Sequence, residues 1–596
     1  MDWNFKNLAE LHDKFGWEEY LVLAITLLIS ALIGIYWAWK GQNSTSEFLM
    51  ASKQMTLFPT TMSLACSFIS AITILGTPAE TYVYGTQYWM IGLSYPFVVA
   101  ATAHVYLPVY FKLQAKSVHY YLELRFNRAV RIFASVCFIM LTCLYLAIVV
   151  YAPALALAQV TGMDMNLSIG LTFLVCIFYT ALGGIKAVIW TNVFQALCMI
   201  TSCLVVVILG EEASGGSAKV FELSYKSKRI ELFNFDPSIL VRHTFWSQVV
   251  GGYFTWMTIY GINQTMVQRY LTVKTQAIAQ KAIWLSGIAI TIILSLVAYA
   301  GLVIYAYYEE CDPINSGLVS TKDQLLPLFV MDLLSVYPGF PGFFVAGVFS
   351  GALSTVSGGL NSLAAVTLED FVKVFYKSDL DDVKATRLSK LLAIFYGIFS
   401  YGLIVMVKNI PGLVQAWLGI FGVLGGPVLG LFSLGMFMPF ANSAGALTGG
   451  ISSVVLMLWI SIGGNFSRLS GQTVYETKIV STDGCPDDWN ITISDNSPKV
   501  MEGLDWWYHL DIYDISYMWY SGVACMIVVI VGSLVSLLNY KNIQPVDPDL
   551  LASGVESFFC CWPKRVKKFI SKKKLFASHK YTIIPLQNTN SELVQQ

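Results

Sequence analysis

The chain carries little charge for its size. Of its 596 residues 12% are charged and 56% are hydrophobic, and Lys plus Arg balance Asp plus Glu at 37 each. A soluble domain has about 25% charged residues, so the composition excludes an ordinary soluble protein. The zero net charge gives no basis for nucleic-acid binding.

Signatures of enzymes and of metal centres are also missing. The eleven cysteines include no CxxC pair and no metal-ligand spacing. The chain contains no HExxH, G-x-S-x-G or P-loop motif, each of which marks a particular chemistry. We therefore expect no enzyme activity, no catalytic residue and no organic cofactor.

Long apolar runs are what the sequence does contain. About 20 consecutive apolar residues cross a bilayer as a helix, so the chain is predicted to be an all-α polytopic protein in a lipid bilayer. Thirteen spans are predicted, at 19–39, 55–79, 84–111, 130–158, 164–185, 187–210, 246–268, 282–307, 337–368, 386–407, 410–438, 443–463 and 516–538.

The basic residues predict the orientation. They cluster in the loops 112–131, 269–281 and 373–390 and in the tail between Lys564 and Lys574. All four regions fall on one side of the membrane if the N-terminus is outside, and basic loops favour the cytosol. We expect a plasma-membrane protein with an extracellular segment 1–18 and a cytosolic tail 541–596.

The longest predicted outer loop, 464–515, carries the glycosylation sequons at Asn465 and Asn490. Cys311 and Cys485 are the only two cysteines in predicted outer loops. They are candidates for a disulfide in an oxidising compartment.

Two charge-free segments have polar residues at their centres. One is 54–79, with Ser67, Ser70 and Thr73; the other is 336–368, with Ser354 and Thr355. Polar groups at bilayer depth are costly unless they line a cavity or bind something.

A broken helix frees backbone carbonyls that can bind a small cation. The candidate sodium ligands are the carbonyls of Ile69, Ile72 and Gly351 and the hydroxyls of Ser354 and Thr355. The alternative is that both hydroxyls bond only to their own helix.

Aromatic residues offer a lining for a small solute. Phe68, Tyr95, Tyr145 and Trp256 are candidates, although aromatics are 14% of the chain and each can equally serve in packing.

The order of the spans suggests two halves, 55–210 and 246–438, with five helices each. An odd number of spans per half gives the halves opposite topology, as in inverted-repeat transporters. The span 19–39 and two spans within 443–538 lie outside this repeat.

Several ordered stretches resemble the solute:sodium symporter family, in the branch of monocarboxylate, multivitamin and iodide transporters. The stretches are Ser67–Glu80, Tyr120–Asn127, Tyr151–Leu157, Gly183–Trp190, Arg242–Trp246, Tyr260–Gln264 and Ser350–Thr355. The resemblance implies a leucine-transporter-type 5+5 core and the sodium site named above. It also implies a substrate pocket near Phe68, Thr73, Tyr95, Tyr145 and Trp256.

Function follows from the same resemblance. It implies sodium-coupled import of small organic anions by alternating access, with monocarboxylates (lactate, pyruvate, short-chain fatty acids) first, biotin or pantothenate second, and iodide third. A sodium-permeable solute sensor or channel would need the same ligands. The sequence leaves the oligomeric state open.

One position departs from the family. Where relatives have Thr-Asp after Ala-Val-Ile-Trp, this chain has Thr191-Asn192. The acidic residue is associated with a second cation site or with inner gating. Because an amide brings no charge, Asn192 leaves the sodium stoichiometry open.

Overall fold

The computed structural model describes residues 8–40, 45–67, 69–114, 116–376, 380–407, 412–486, 510–539 and 546–552. Within these ranges the chain is helical and forms no strand. The N-terminal half contains α1 (Leu8–Asp13), α2 (Trp17–Trp39), α3 (Thr45–Met50), α4 (Leu57–Cys66), α5 (Ala71–Tyr84), α6 (Tyr95–Ala101), α7 (Leu107–Leu113), α8 (Tyr120–Arg125), α9 (Arg128–Thr161), α10 (Met165–Ala213) and α11 (Ser217–Lys226).

The described part of the second half of the chain contains ten further helices, several of them short. They are α12 (Gly252–Tyr260), α13 (Gln264–Tyr270), α14 (Gln276–Tyr307), α15 (Leu325–Leu334), α16 (Phe340–Val366), α17 (Asp382–Val407), α18 (Leu413–Ile420), α19 (Gly426–Phe437), α20 (Ser443–Leu469) and α21 (Tyr520–Leu538). Turns of π-helix continue several of them, as at Phe421–Gly425 between α18 and α19.

Ten helices among the described residues are long and apolar enough to cross a membrane, and the bent pair α4 and α5 makes eleven. The prediction of an all-helical membrane protein is confirmed, but the count of thirteen is not. The two segments that differ are 164–185 and 246–268. The first belongs to α10, a helix of 49 residues that changes direction at Gly184, where φ is +56°. The second is divided between α12 and α13.

Helix α16 lies at the centre of the bundle. Almost all of its side chains are buried, and it packs against α2, α9, α10 and α17. Small residues permit this close packing, as between membrane helices generally. At Gly347, for example, a Cβ would lie 2.2 Å from the Ser202 hydroxyl of α10.

Segments outside the bundle cover its ends. A disulfide joins Cys311 to Cys485, with 4.8 Å between their Cα atoms. Helix α20 continues to Leu469, so the loop predicted to begin at residue 464 begins later. In the predicted tail, residues 546–552 pack on the bundle, where the Leu550 carbonyl accepts from the Tyr121 hydroxyl at 3.0 Å. Asp547 caps the short turn that makes this contact.

Candidate functional site

The first broken helix is the starting point of the site. Helix α4 ends at Cys66 and α5 begins at Ala71 at an angle of 52°. Ser70 caps α5, because its side chain accepts from the backbone N–H of Ile72 at 3.2 Å. The break contains Ile69, and Ile72 lies in the first turn of α5. A helix end leaves backbone groups without partners inside the helix, and here that end is buried in the protein.

Helix α16 crosses this break with its hydroxyl pair. Ser354 donates to the carbonyl of Cys66 at 3.1 Å, and Thr355 donates to the carbonyl of Ser67 at 3.2 Å. Both hydroxyls also contact the Gly351 carbonyl of their own helix, at 2.9 and 3.1 Å. Both hydroxyls therefore bond within α16 and also reach the carbonyls of Cys66 and Ser67 at the break. Sodium ligation by this pair stays a prediction.

Gly351 allows the two helices to come this close. A Cβ at this position would lie 3.0 Å from the backbone nitrogen of Ala71 and 3.1 Å from the carbonyl carbon of Ser70. The residues predicted as sodium ligands therefore belong to two segments in direct contact. Their donor set consists of neutral oxygens, the ligands that hard cations prefer.

A second broken helix opens the second half of the chain. Helix α12 ends at Tyr260, and Asn263 caps α13 by accepting from the N–H of Thr265 at 2.9 Å. Ser70 and Asn263 thus have the same role in two helices that begin the two predicted repeats. Breaks at corresponding positions of two repeats are typical of transporter binding sites.

Five aromatic rings form a buried cluster beside the first break. Tyr95 and Trp256 have centroids 4.7 Å apart, and Trp256 and Trp417 are 6.4 Å apart. The ring centroid of Tyr145 lies 6.2 Å from that of Trp417 and 5.2 Å from that of Phe421. The structure thus brings together three of the aromatic residues named from the sequence and adds Trp417 and Phe421, which the sequence analysis did not identify.

Tyr145 connects the aromatic cluster to the hydroxyl pair. Its hydroxyl interacts with the side chains of Ser70 and Thr355. Thr73 lies half-buried on α5, one turn beyond Ser70. Phe68 lies outside the described residues.

The neighbourhood of Asn192 holds a buried arginine. The Asn192 amide and the Arg269 Nε both donate to the Ser63 hydroxyl, each at 3.0 Å. Arg269 is 1% exposed and also donates to the Thr265 carbonyl at 2.7 Å. Its guanidinium lies against Gly358, where a Cβ would be 2.3 Å from Nη2. A fixed positive charge therefore lies close to Asn192.

An ion-pair cluster joins α5 to the segments that precede α12 and α15. The buried Glu80 of α5 accepts from Arg242 Nη2 at 2.9 and 3.0 Å and from Lys322 at 2.6 Å. Arg242 also donates to Gln415 of α18 at 2.7 Å. Burial and the neighbouring Arg242 lower the pKa of His243 to about 3, so this imidazole is neutral at physiological pH. The sequence analysis did not identify this cluster, because its members come from four distant segments.

The predicted glycosylation positions differ in their surroundings. Asn465 lies half-buried in the last two turns of α20, where its side-chain oxygen accepts from Arg468 at 2.7 Å. Asn490 lies outside the described residues.

The fold and this site together define a class of protein. It is a helical membrane protein with two broken helices, in which α16 places hydroxyl and carbonyl oxygens against the first break and an aromatic cluster lies beside them. Residues 48–453 match the model of the sodium:solute symporter family. The chain belongs to the sodium:solute symporter family.

Relatives extend over most of the chain. It is 42% identical over 552 residues to sodium-coupled monocarboxylate transporter 1 of Xenopus laevis, covering 90% of this chain and 88% of that protein. It is 41% identical to sodium-coupled monocarboxylate transporter 2 of Homo sapiens, covering 93% and 89%. It is also 41% identical, covering 89% of each, to a Drosophila melanogaster protein provisionally named a sodium-dependent multivitamin transporter.

A solved structure supports the fold. The substrate-bound outward-open state of a Na⁺-coupled sialic acid symporter matches with a TM-score of 0.70. The match covers 88% of this chain and 98% of that one at 24% identity.

Proposed function

We propose that this protein is a plasma-membrane symporter that couples inward sodium flow to uptake of a small monocarboxylate, by alternating access. Its N-terminus is extracellular and its C-terminus cytosolic, as the basic loops favour. One observation carries the proposal: Ser354 and Thr355 of α16 donate to the carbonyls of Cys66 and Ser67 at the end of α4, immediately before the break that contains Ile69. Sodium is held there by the Ile69, Ile72 and Gly351 carbonyls together with these two hydroxyls.

Sodium binding can drive transport because its ligands come from two separate elements, and alternating access requires such elements to move relative to each other. An ion that bridges α5 and α16 stabilises the conformation in which they are in contact. Tyr145 extends this effect to the aromatic cluster, since its hydroxyl interacts with Thr355 and its ring contacts Trp417. Sodium and solute affinities are then coupled, and the coupling is reciprocal.

One sodium ion supplies enough free energy to accumulate the solute against its concentration gradient. Moving one charge down 100 mV releases about 2.3 kcal/mol, and a tenfold sodium gradient adds about 1.4 kcal/mol. Together they sustain a solute ratio of a few hundredfold, from which the charge of the anion subtracts.

The two monocarboxylate transporters named above support a monocarboxylate as substrate. The Drosophila relative supports a vitamin as the second candidate, for which we take biotin and pantothenate. The test is sodium-dependent uptake of radiolabelled lactate, pyruvate, butyrate, biotin, pantothenate and iodide in cells that express the chain. We expect lactate or butyrate to accumulate only in sodium. Accumulation of the vitamins or iodide alone would contradict the monocarboxylate assignment, and substrate-evoked current without accumulation would indicate a sensor or channel.

Replacing Asn192 with Asp tests for a second cation site. We expect the charge moved per substrate to stay unchanged, because the new carboxylate lies near Arg269, whose Nη2 has no hydrogen-bond partner among the described residues. An ion pair with this guanidinium keeps the carboxylate ionised and balances its negative charge, so no cation is needed there. The measurement is substrate-evoked current divided by tracer flux in the same cells.

The double variant N192D/R269Q is the matched comparison. Without the guanidinium the carboxylate is free to bind a cation, and the sodium activation curve should become steeper. A higher charge-to-flux ratio in the single variant would show that position 192 binds sodium despite Arg269.

A further inference from the structure

Two tryptophans in the aromatic cluster have buried N–H groups without a partner. Trp256 is 6% exposed and Trp417 is 4% exposed, and neither indole Nε1 has a hydrogen-bond partner in the part of the chain that the structure describes. The indole nitrogen is a donor only. A buried donor left unsatisfied costs free energy, and native proteins satisfy the large majority of them. Two such donors in one cluster therefore indicate a ligand with acceptor atoms.

The two indoles lie next to each other. Their ring centroids are 6.4 Å apart and their planes are at 84°, so the rings meet edge to face. They come from different elements, Trp256 from the outer part of the second broken helix and Trp417 from α18. A single small ligand that accepts from both indoles would connect these two helices.

The residues around the two indoles indicate which kind of acceptor group the ligand carries. The short helices that carry Tyr95, Trp256 and Trp417 contain no Lys or Arg. Hydrogen bonds to an ionised acceptor are roughly twice as strong as neutral ones, so a carboxylate has more to gain here than a neutral carbonyl. A second carboxylate on the ligand would be buried without a partner, which is strongly unfavourable.

We propose that Trp256 and Trp417 both donate their indole N–H groups to the carboxylate of the transported anion, with the aromatic rings packing around its short tail. This inference rests on the proposed function and specifies its substrate: one carboxylate and a small hydrocarbon or hydroxylated tail. Sodium at the proposed site, which Tyr145 connects to the aromatic cluster, supplies the balancing positive charge. Dicarboxylates of similar size are excluded.

The test replaces each indole with a ring that has no N–H. In W417F and in W256F, the KM for lactate uptake should rise about tenfold to a hundredfold, because a hydrogen bond to a charged group has that strength. Sodium half-activation at saturating lactate should stay near that of the wild type. Trp89 provides the control, because its indole already donates to Ser295 at 2.9 Å; W89F should leave the KM unchanged.

A competition measurement separates recognition of the carboxylate from loss of packing. Lactate and its neutral amide, lactamide, are compared as inhibitors of propionate uptake. The wild type should favour lactate strongly, and both variants should lose most of this preference, whereas a packing defect weakens both inhibitors equally. Trp417→His, which keeps a ring N–H, should restore part of the preference.

The outcomes separate the two proposals. Wild-type cells that take up no monocarboxylate overturn the proposed function and this inference with it. Wild-type uptake together with an unchanged lactate KM in W417F and W256F overturns the inference alone. An unchanged preference for lactate over lactamide in these variants has the same meaning, even if their KM rises, and so does succinate uptake comparable to that of lactate.

Discussion

Replacing both Ser354 and Thr355 with Ala is expected to abolish sodium-dependent uptake at physiological sodium. The double variant removes both side-chain ligands of the proposed ion, and it also removes the donors to the Cys66 and Ser67 carbonyls at the break. If each missing ligand costs about 1.4 kcal/mol, each weakens sodium binding about tenfold. Tracer uptake as a function of sodium concentration, normalised to surface protein, measures the effect.

Ser357 offers a matched control on the same helix. Its hydroxyl is buried and donates to the Ser354 carbonyl at 3.1 Å, so it bonds within α16 and not across the break. S357A should keep the sodium activation of the wild type. A normal activation curve in the Ser354/Thr355 double variant would show that sodium binds elsewhere.

The sequence was sufficient to predict the first half of this site because its signals are local. A run of Ser and Thr in a charge-free membrane helix is unfavourable unless it has a function. The break near residue 70 follows from the same argument, and the structure has a helix end at Cys66 and a capped start at Ser70. Hydrophobic length likewise predicted most of the spans, since span length is a property of one segment.

The other half of the site depends on contacts between distant segments. Trp417 lies in an apolar stretch that looks like any packed helix, and only the fold brings it to Trp256, 161 positions earlier in the sequence. Arg269 looked like a cytosolic loop residue by the rule for basic residues, yet it is buried against Gly358. Neither hydropathy nor a short motif records which face of a helix meets which neighbour.

The difference in span count has a related cause. A window of hydropathy treats 246–268 as one continuous helix, but Gly261 and Asn263 end one helix and begin the next. The sequence marks 260–264 as unusual without locating the cap. The cap follows from the hydrogen bond that Asn263 accepts from Thr265, which depends on the local backbone conformation.

Neutralising Glu80 with E80Q is expected to reduce uptake severely while leaving sodium able to bind. Glu80 is fully buried and holds two cations, Arg242 and Lys322, that come from segments preceding α12 and α15. Removing one partner of a buried ion pair costs about 3 to 5 kcal/mol, because the remaining charge is left uncompensated. In the proposed orientation these ion pairs join the outer end of α5 to the segments that precede α12 and α15, so without them we expect the outer side to stay open and each transport cycle to stall.

The measurement combines uptake, surface abundance and thermal stability of the purified protein. The charge swap E80R/R242E re-forms an opposite-charge pair at the same place and should recover part of the uptake, which a role of Glu80 independent of Arg242 does not predict.

Glu222 and Lys226 supply the control, an ion pair in which both side chains are more than half exposed. Exposed ion pairs contribute little to stability, so E222Q should behave as wild type. Wild-type uptake in E80Q would mean that the outer ends close without this cluster, and closure would then depend on other residues of α5.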